Sequence, residues 1–131
     1  MTVVVDASIM AEALDPSSAR RLDALDVLGE DLSWLVPGHF LVEVASALRG
    51  RMLGGAITPE QLAAALGSLE QADVDEHSIA PLLRRMGDLA ANATAYDAAY
   101  VALAERAGAD LVTMDAKLAR TPGATCVVRL L

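Results

Sequence analysis

A chain of 131 residues has the length of one domain and is too short for two. With 54% hydrophobic but only 3% aromatic residues it must build its core from Ala, Val and Leu, which excludes a disordered chain, and its longest apolar runs fall well short of the roughly 20 residues of a membrane span. A formal net charge of −8 argues against a general binder of phosphate backbones, so any nucleic-acid role must rest on local charge.

Thr2 to Val5 is a β-branched run ending at Asp6 and is expected to be a strand buried on both faces of a parallel sheet. This start lacks the basic and apolar segments of a secretory signal, and a cytoplasmic location is expected. Asp15-Pro16 reads as an N-cap with proline at the first helical position, opening a helix to about Gly29 with Ala19, Leu22, Leu25 and Leu28 on one face. A short strand at Trp34 to Val36 stops at Pro37-Gly38. From there a helix runs through Phe40, Val44, Ala47 and Leu48 to the glycine pair Gly54-Gly55. Thr58-Pro59-Glu60-Gln61 has the pattern of a capping box and starts a helix reaching about Ala72.

A brief strand is expected around Val74, then a helix from Ser78 to about Leu89, broken by Asn92 and Thr94. Thr94 caps a helix through Ala107 that is apolar almost all round, and Gly108 stops it. Leu111 to Met114 reads as a buried strand and Asp115 as the cap of a short helix to about Arg120. Thr125 to Val128 is the last expected strand, with Cys126 a small buried hydrophobe within it. A single cysteine excludes an internal disulfide and a cysteine zinc cluster. Strands and helices alternate throughout, which predicts a three-layer α/β fold with a mostly parallel sheet and a single domain over residues 1–131.

In such sheets ligands sit beyond the carboxyl ends of the strands. Asp6 follows the first strand and Asp115 follows the Leu111 to Met114 strand. Asp97 lies in the first turn of the buried helix, and Glu43 interrupts the apolar stretch Phe40 to Ala45. Each has a second reading: Asp6 and Asp115 as helix N-caps, Asp97 as the third residue of a box begun by Thr94, and Glu43 on a solvated helix face. As a set, however, acids in apolar surroundings repel one another and need a positive partner, and no Lys, Arg or His adjoins Asp6, Asp97 or Glu43 in sequence. A hard divalent cation, Mg²⁺ or Mn²⁺, suits such oxygen ligands. His39 and His77 have no metal-ligand spacing and are expected to be structural or exposed. Tyr96 and Tyr100, i,i+4 on one helix, are expected in the core rather than stacked on bases.

The segments carrying the acids resemble those of the PIN-domain family and its VapC ribonuclease toxins. Val4-Val5-Asp6-Ala7-Ser8 is similar to the family's opening strand and Phe40-Leu41-Val42-Glu43-Val44-Ala45-Ser46-Ala47-Leu48 to its second motif. Thr94-Ala95-Tyr96-Asp97-Ala98-Ala99-Tyr100-Val101-Ala102-Leu103-Ala104 is similar to its third and Leu111-Val112-Thr113-Met114-Asp115-Ala116-Lys117-Leu118 to its fourth. The resemblance implies an α/β/α PIN-like fold and a metal-dependent endoribonuclease in which Asp6, Glu43, Asp97 and Asp115 form the acidic metal site, with Thr113 and Ser8 as supporting hydroxyls. It further implies Mg²⁺ or Mn²⁺ as cofactor, an RNA substrate, a VapB-like antitoxin as partner and a homodimer. Arg49 and Arg51 at the end of the Glu43 helix, and Lys117 and Arg120 past Asp115, are the candidates for RNA contacts; helix C-terminal placement explains them equally well.

Two other readings are open. A receiver domain or aspartate-nucleophile phosphatase has little support, because Ala7-Ser8 rather than a second acid follows Asp6 and no lysine follows the final strand. A non-catalytic interaction module on the same fold would keep the partner and lose the chemistry.

Overall fold

The computed structural model describes residues 2–30 and 33–131 of the protein. Its strands are β1 (Thr2–Val5), β2 (Ser33–Pro37), β3 (Asp75–His77), β4 (Asp110–Thr113) and β5 (Val128–Leu130). Its helices are α1 (Ala7–Leu14), α2 (Arg21–Glu30), α3 (Phe40–Leu53), α4 (Pro59–Glu70), α5 (Leu83–Leu89), α6 (Ala95–Ala107) and α7 (Ala116–Ala119), and a 3-10 turn at Ala80–Leu82 leads into α5. The five strands form one parallel sheet in the order β3-β2-β1-β4-β5, the centre of a three-layer α/β/α arrangement. Helices α1 to α4 pack on one another, and α6 packs on α5 and against β1, β2 and β4. Among the described residues no helix is long and apolar enough to cross a membrane.

The two central strands are apolar without alternation because both their faces are covered. Val3, Val4 and Val5 in β1 and Leu111 and Val112 in β4 are all buried. Their register pairs Val5 with Val112, so the residues that follow, Asp6 and Thr113, emerge side by side at the sheet's carboxyl edge. Chain order runs outward from β1 to β2 and β3 on one side and reaches β4 and β5 on the other. The crevice between β1 and β4 is therefore the topological switch point.

Several local signals act as expected. Thr58 Oγ1 accepts the Gln61 N–H at 3.1 Å and Gln61 Oε1 accepts the Thr58 N–H at 2.9 Å, a closed capping box at the start of α4. Thr58→Ala removes the Oγ1 acceptor at an exposed position while keeping the backbone N–H that donates to Gln61, and should lower the unfolding free energy by about 1 kcal/mol, read from the urea midpoint; an unshifted midpoint would mean that the cap contributes nothing. Helix α6 buries every residue from Ala98 to Ala104 and ends at Gly108, whose φ of 63° lies in the left-handed region.

Four expectations are corrected. The segment after Asp6 forms α1, and Asp15 ends that helix instead of starting one: its N–H bonds to Ala11 O, and its carboxylate accepts the N–H and the hydroxyl of Ser17. That local turn competes with helix nucleation at Pro16, and α2 begins only at Arg21. Its inward residues are Ala24 and Leu28, while Leu22 is 71% exposed. Similarly, α3 buries Phe40, Val44 and Leu48, with Ala47 outside. The segment expected as a helix from Ser78 starts as a 3-10 turn around Pro81, after the brief strand expected around Val74, which is β3 at Asp75–His77. Finally, β5 begins at Val128: the Thr125 N–H is taken by Glu105 Oε1 at 2.9 Å, which holds the loop off the sheet and leaves Cys126 half-buried ahead of the strand.

Candidate active site

Asp6 is 4% exposed at the end of β1, and although it precedes α1 its side chain makes no capping bond to that helix. Its Oδ2 accepts the hydroxyls of Thr113, at 2.7 Å, and Ser8, at 2.5 Å. Both hydroxyls are themselves positioned by the backbone that follows β4: Ser8 Oγ accepts the Met114 N–H and Thr113 Oγ1 the Asp115 N–H. Burial pushes the Asp6 carboxyl above its ordinary range, opposed by the two hydroxyls and reinforced by the charge of Glu43.

Glu43 lies in the first turn of α3. The Tyr100 hydroxyl donates to its Oε1 at 2.9 Å, across from α6. His39 Nε2 lies 3.1 Å from the same oxygen without the geometry of a hydrogen bond. Burial first, and then the negative field of Glu43 and Asp6, keep the Tyr100 phenol protonated and therefore a donor.

Asp97 occupies the first turn of α6, where Thr94 caps its N–H at 3.2 Å. Its carboxyl is raised by burial, then by the charges of Asp115 and Glu43, with Lys117 pulling the other way. Asp115 does cap α7, its Oδ1 accepting the Lys117 N–H at 2.8 Å. The four acids thus come from β1, α3, α6 and the end of β4 into one electrostatic neighbourhood. Glu43 acts on Asp6 and Asp97, and Asp115 acts on Asp97. Among the described residues no three acidic, histidine or cysteine side chains are gathered tightly enough to cage a metal ion. The donor set nevertheless fits a hard divalent cation that keeps several waters, because it offers only carboxylate oxygens whose mutual repulsion a positive charge relieves.

Of the basic candidates, Arg49, Lys117 and Arg120 are exposed, and Lys117 lies near enough to bias Asp97. Arg51 is not available in the same way. Its guanidinium bonds Asp15 Oδ2 and Glu12 Oε1, each at 2.8 Å, tying α3 to the end of α1.

Sequence reasoning gave no role to Tyr100 or His39 at Glu43, although a buried tyrosine hydroxyl needs a partner and His39 stands one helical turn before the glutamate. Tyr96, expected in the core, is instead a 63% exposed residue that lines a cavity of about 370 Å³ with His39, Val42, Glu43 and Ser46.

The PIN domain family model matches residues 3–124 of this chain. Ribonuclease VapC1 of Mycobacterium tuberculosis is 36% identical over 128 residues, covering 97% of this chain and 96% of that protein. Among solved structures, the sarcin-ricin loop cleaving toxin VapC20 of Mycobacterium tuberculosis superposes with a TM-score of 0.73 at 17% identity, over 92% of this chain and 95% of that one. VapBC2 from Rickettsia felis, bound to a DNA fragment from its promoter, superposes with a TM-score of 0.68 at 16% identity, over 100% and 99% of the two chains.

Proposed function

The chain belongs to the PIN-domain family, and from that premise we propose that it is a metal-dependent endoribonuclease of the VapC type, the toxin of a toxin–antitoxin pair acting in the cytoplasm. The observation that carries this reading is Asp6. It is a buried carboxylate at the sheet's switch point that is held by two hydroxyls and shares its field with Glu43, which in turn reaches Asp97.

Asp6, Asp97 and Asp115 would hold the ion, with Glu43 beside them. When bound, a divalent ion such as Mg²⁺ or Mn²⁺ polarises the phosphate and makes water a better nucleophile. The protein's own contribution is orientation. Ser8 and Thr113 fix Asp6, the Asp115 N–H fixes Thr113, and Tyr100 commits Glu43 Oε1, leaving Oε2 to orient the attacking water and take its proton. No covalent nucleophile is required. Arg49, Lys117 and Arg120 are the groups we assign to the RNA backbone, where they offset an otherwise acidic surface.

The partner we propose is a VapB-like antitoxin that blocks the acidic pocket with a basic side chain, and the assembly a homodimer. Structured RNA incubated with the purified, partner-free protein should be cut in Mg²⁺ or Mn²⁺ and survive in EDTA. RNA that stays intact in both would leave the protein a non-catalytic interaction module.

A further inference from the structure

Tyr96 stands one residue before Asp97 and is an exposed residue. The ring is not loosely placed. His39 meets it edge-on with centroids 5.6 Å apart, and the same imidazole meets Tyr100 edge-on at 5.1 Å, so Tyr96 is braced against the side chains that hold Glu43. One cavity beside Tyr96 holds about 370 Å³ and has Val42, Glu43 and Ser46 in its wall; a second, of about 290 Å³, borders the same tyrosine. Val42, in the first of these walls, is 73% exposed.

An aromatic face, an apolar wall, and a hydroxyl and a carboxylate at the rim are the features by which proteins hold an unpaired base: the ring takes its π-face, and the polar groups meet its edge. Glu43 belongs both to this cavity and to the acidic cluster, so a base seated here would lie next to the phosphate being attacked. Resting on the nuclease reading above, we propose that this cavity is a subsite for one unpaired nucleobase flanking the scissile phosphate, with Tyr96 as its stacking platform and His39 as the brace that fixes the platform.

The test compares the full-length wild type with Tyr96→Ala and Tyr96→Phe on an RNA oligonucleotide that spans a mapped cut. Equilibrium binding is measured in EDTA and cleavage in Mg²⁺. Tyr96 is exposed, so both variants should keep the wild-type melting temperature. Tyr96→Ala should weaken binding and raise KM about tenfold with a much smaller change in kcat, and Tyr96→Phe should behave as wild type, because stacking uses the ring and not the hydroxyl. Among RNAs with a single abasic sugar beside the cut, one should lose a similar factor with the wild type and nothing further with Tyr96→Ala, the non-additivity expected of two groups in contact. Wild-type binding by Tyr96→Ala, a Tyr96→Phe as weak as Tyr96→Ala, or abasic effects that simply add would each overturn the subsite. Cleavage of that oligonucleotide that persists undiminished in EDTA, with Tyr96-dependent binding intact, would instead count against the metal-dependent nuclease reading alone.

Discussion

Asp97→Asn should lower RNA cleavage by a factor on the order of 10³ or more while leaving the metal-free protein at least as stable as the wild type. The two outcomes have one cause. Burial, followed by the charges of Asp115 and Glu43, raises the Asp97 carboxyl above its ordinary range, so the folded state holds its proton more tightly than the unfolded chain does. A carboxyl raised in this way makes stability fall as pH climbs from the unfolded value near 4 through the folded one, and at neutral pH its charge is a burden on the fold. Asparagine removes that burden together with the charge of an oxygen we propose as a metal ligand. Wild-type protein should gain melting temperature when Mn²⁺ or Mg²⁺ is added, since an ion that binds only the native state stabilises it by about 2.7 kcal/mol at a hundredfold excess over its Kd. Asp97→Asn should show a blunted rise. Full activity together with an undiminished thermal response would take Asp97 out of the site.

Arg51→Ala should act on stability and leave catalysis by the folded fraction untouched. Arg51 spans Glu12 and Asp15, and Asp15 is 4% exposed, so its removal strands a buried carboxylate between α1 and α3. Breaking one partner out of a fully buried pair costs about 3–5 kcal/mol. Arg51 and Glu12 keep 27% and 22% of their side-chain surface, which screens the pair and brings the expectation down to about 2–3 kcal/mol. Burial pushes both acids up, but hydrogen bonds from Ser17 and Arg51 to Asp15, and from Arg51 and Ser18 to Glu12, outweigh it and leave both carboxyls below the ordinary range. Carboxyls depressed in the folded state contribute fully above about pH 4 and lose that contribution as the pH falls through their folded values. The urea midpoints of wild type and variant should therefore be well separated at pH 7 and converge in acid. If Arg51→Ala weakened RNA binding without a stability loss, Arg51 would return to the backbone-contacting group with Arg49.

These two residues mark the boundary of what could be read in advance. The place of Asp97 in the first turn of α6 was legible because its signals are local: a cap three residues before it, an apolar helix after it, and a place in a motif that stands in order with three others. The partners of Arg51 were not legible, because the last turn of a helix is where a basic residue belongs on local grounds and those partners lie 36 and 39 positions away. Asp15 erred for the same reason. Asp-Pro is a sound start signal on its own, yet here the aspartate is committed to Ser17 and Arg51.

By itself, then, the sequence determined the elements whose cause lies within a few residues. These are the buried central strands, the capped start of α4, the glycine stop of α6 and the positions of four acids at strand ends and helix starts. Tertiary structure alone decided the contacts those acids make with distant segments. Thr113 reaches Asp6 across 107 positions and Tyr100 reaches Glu43 across 57, while Tyr96, on the same helix as Tyr100, is turned outward beside the cavity. A hydrogen bond or ring contact between distant segments depends on sheet register and helix placement, which the whole chain sets together, and no window of neighbouring residues contains that information.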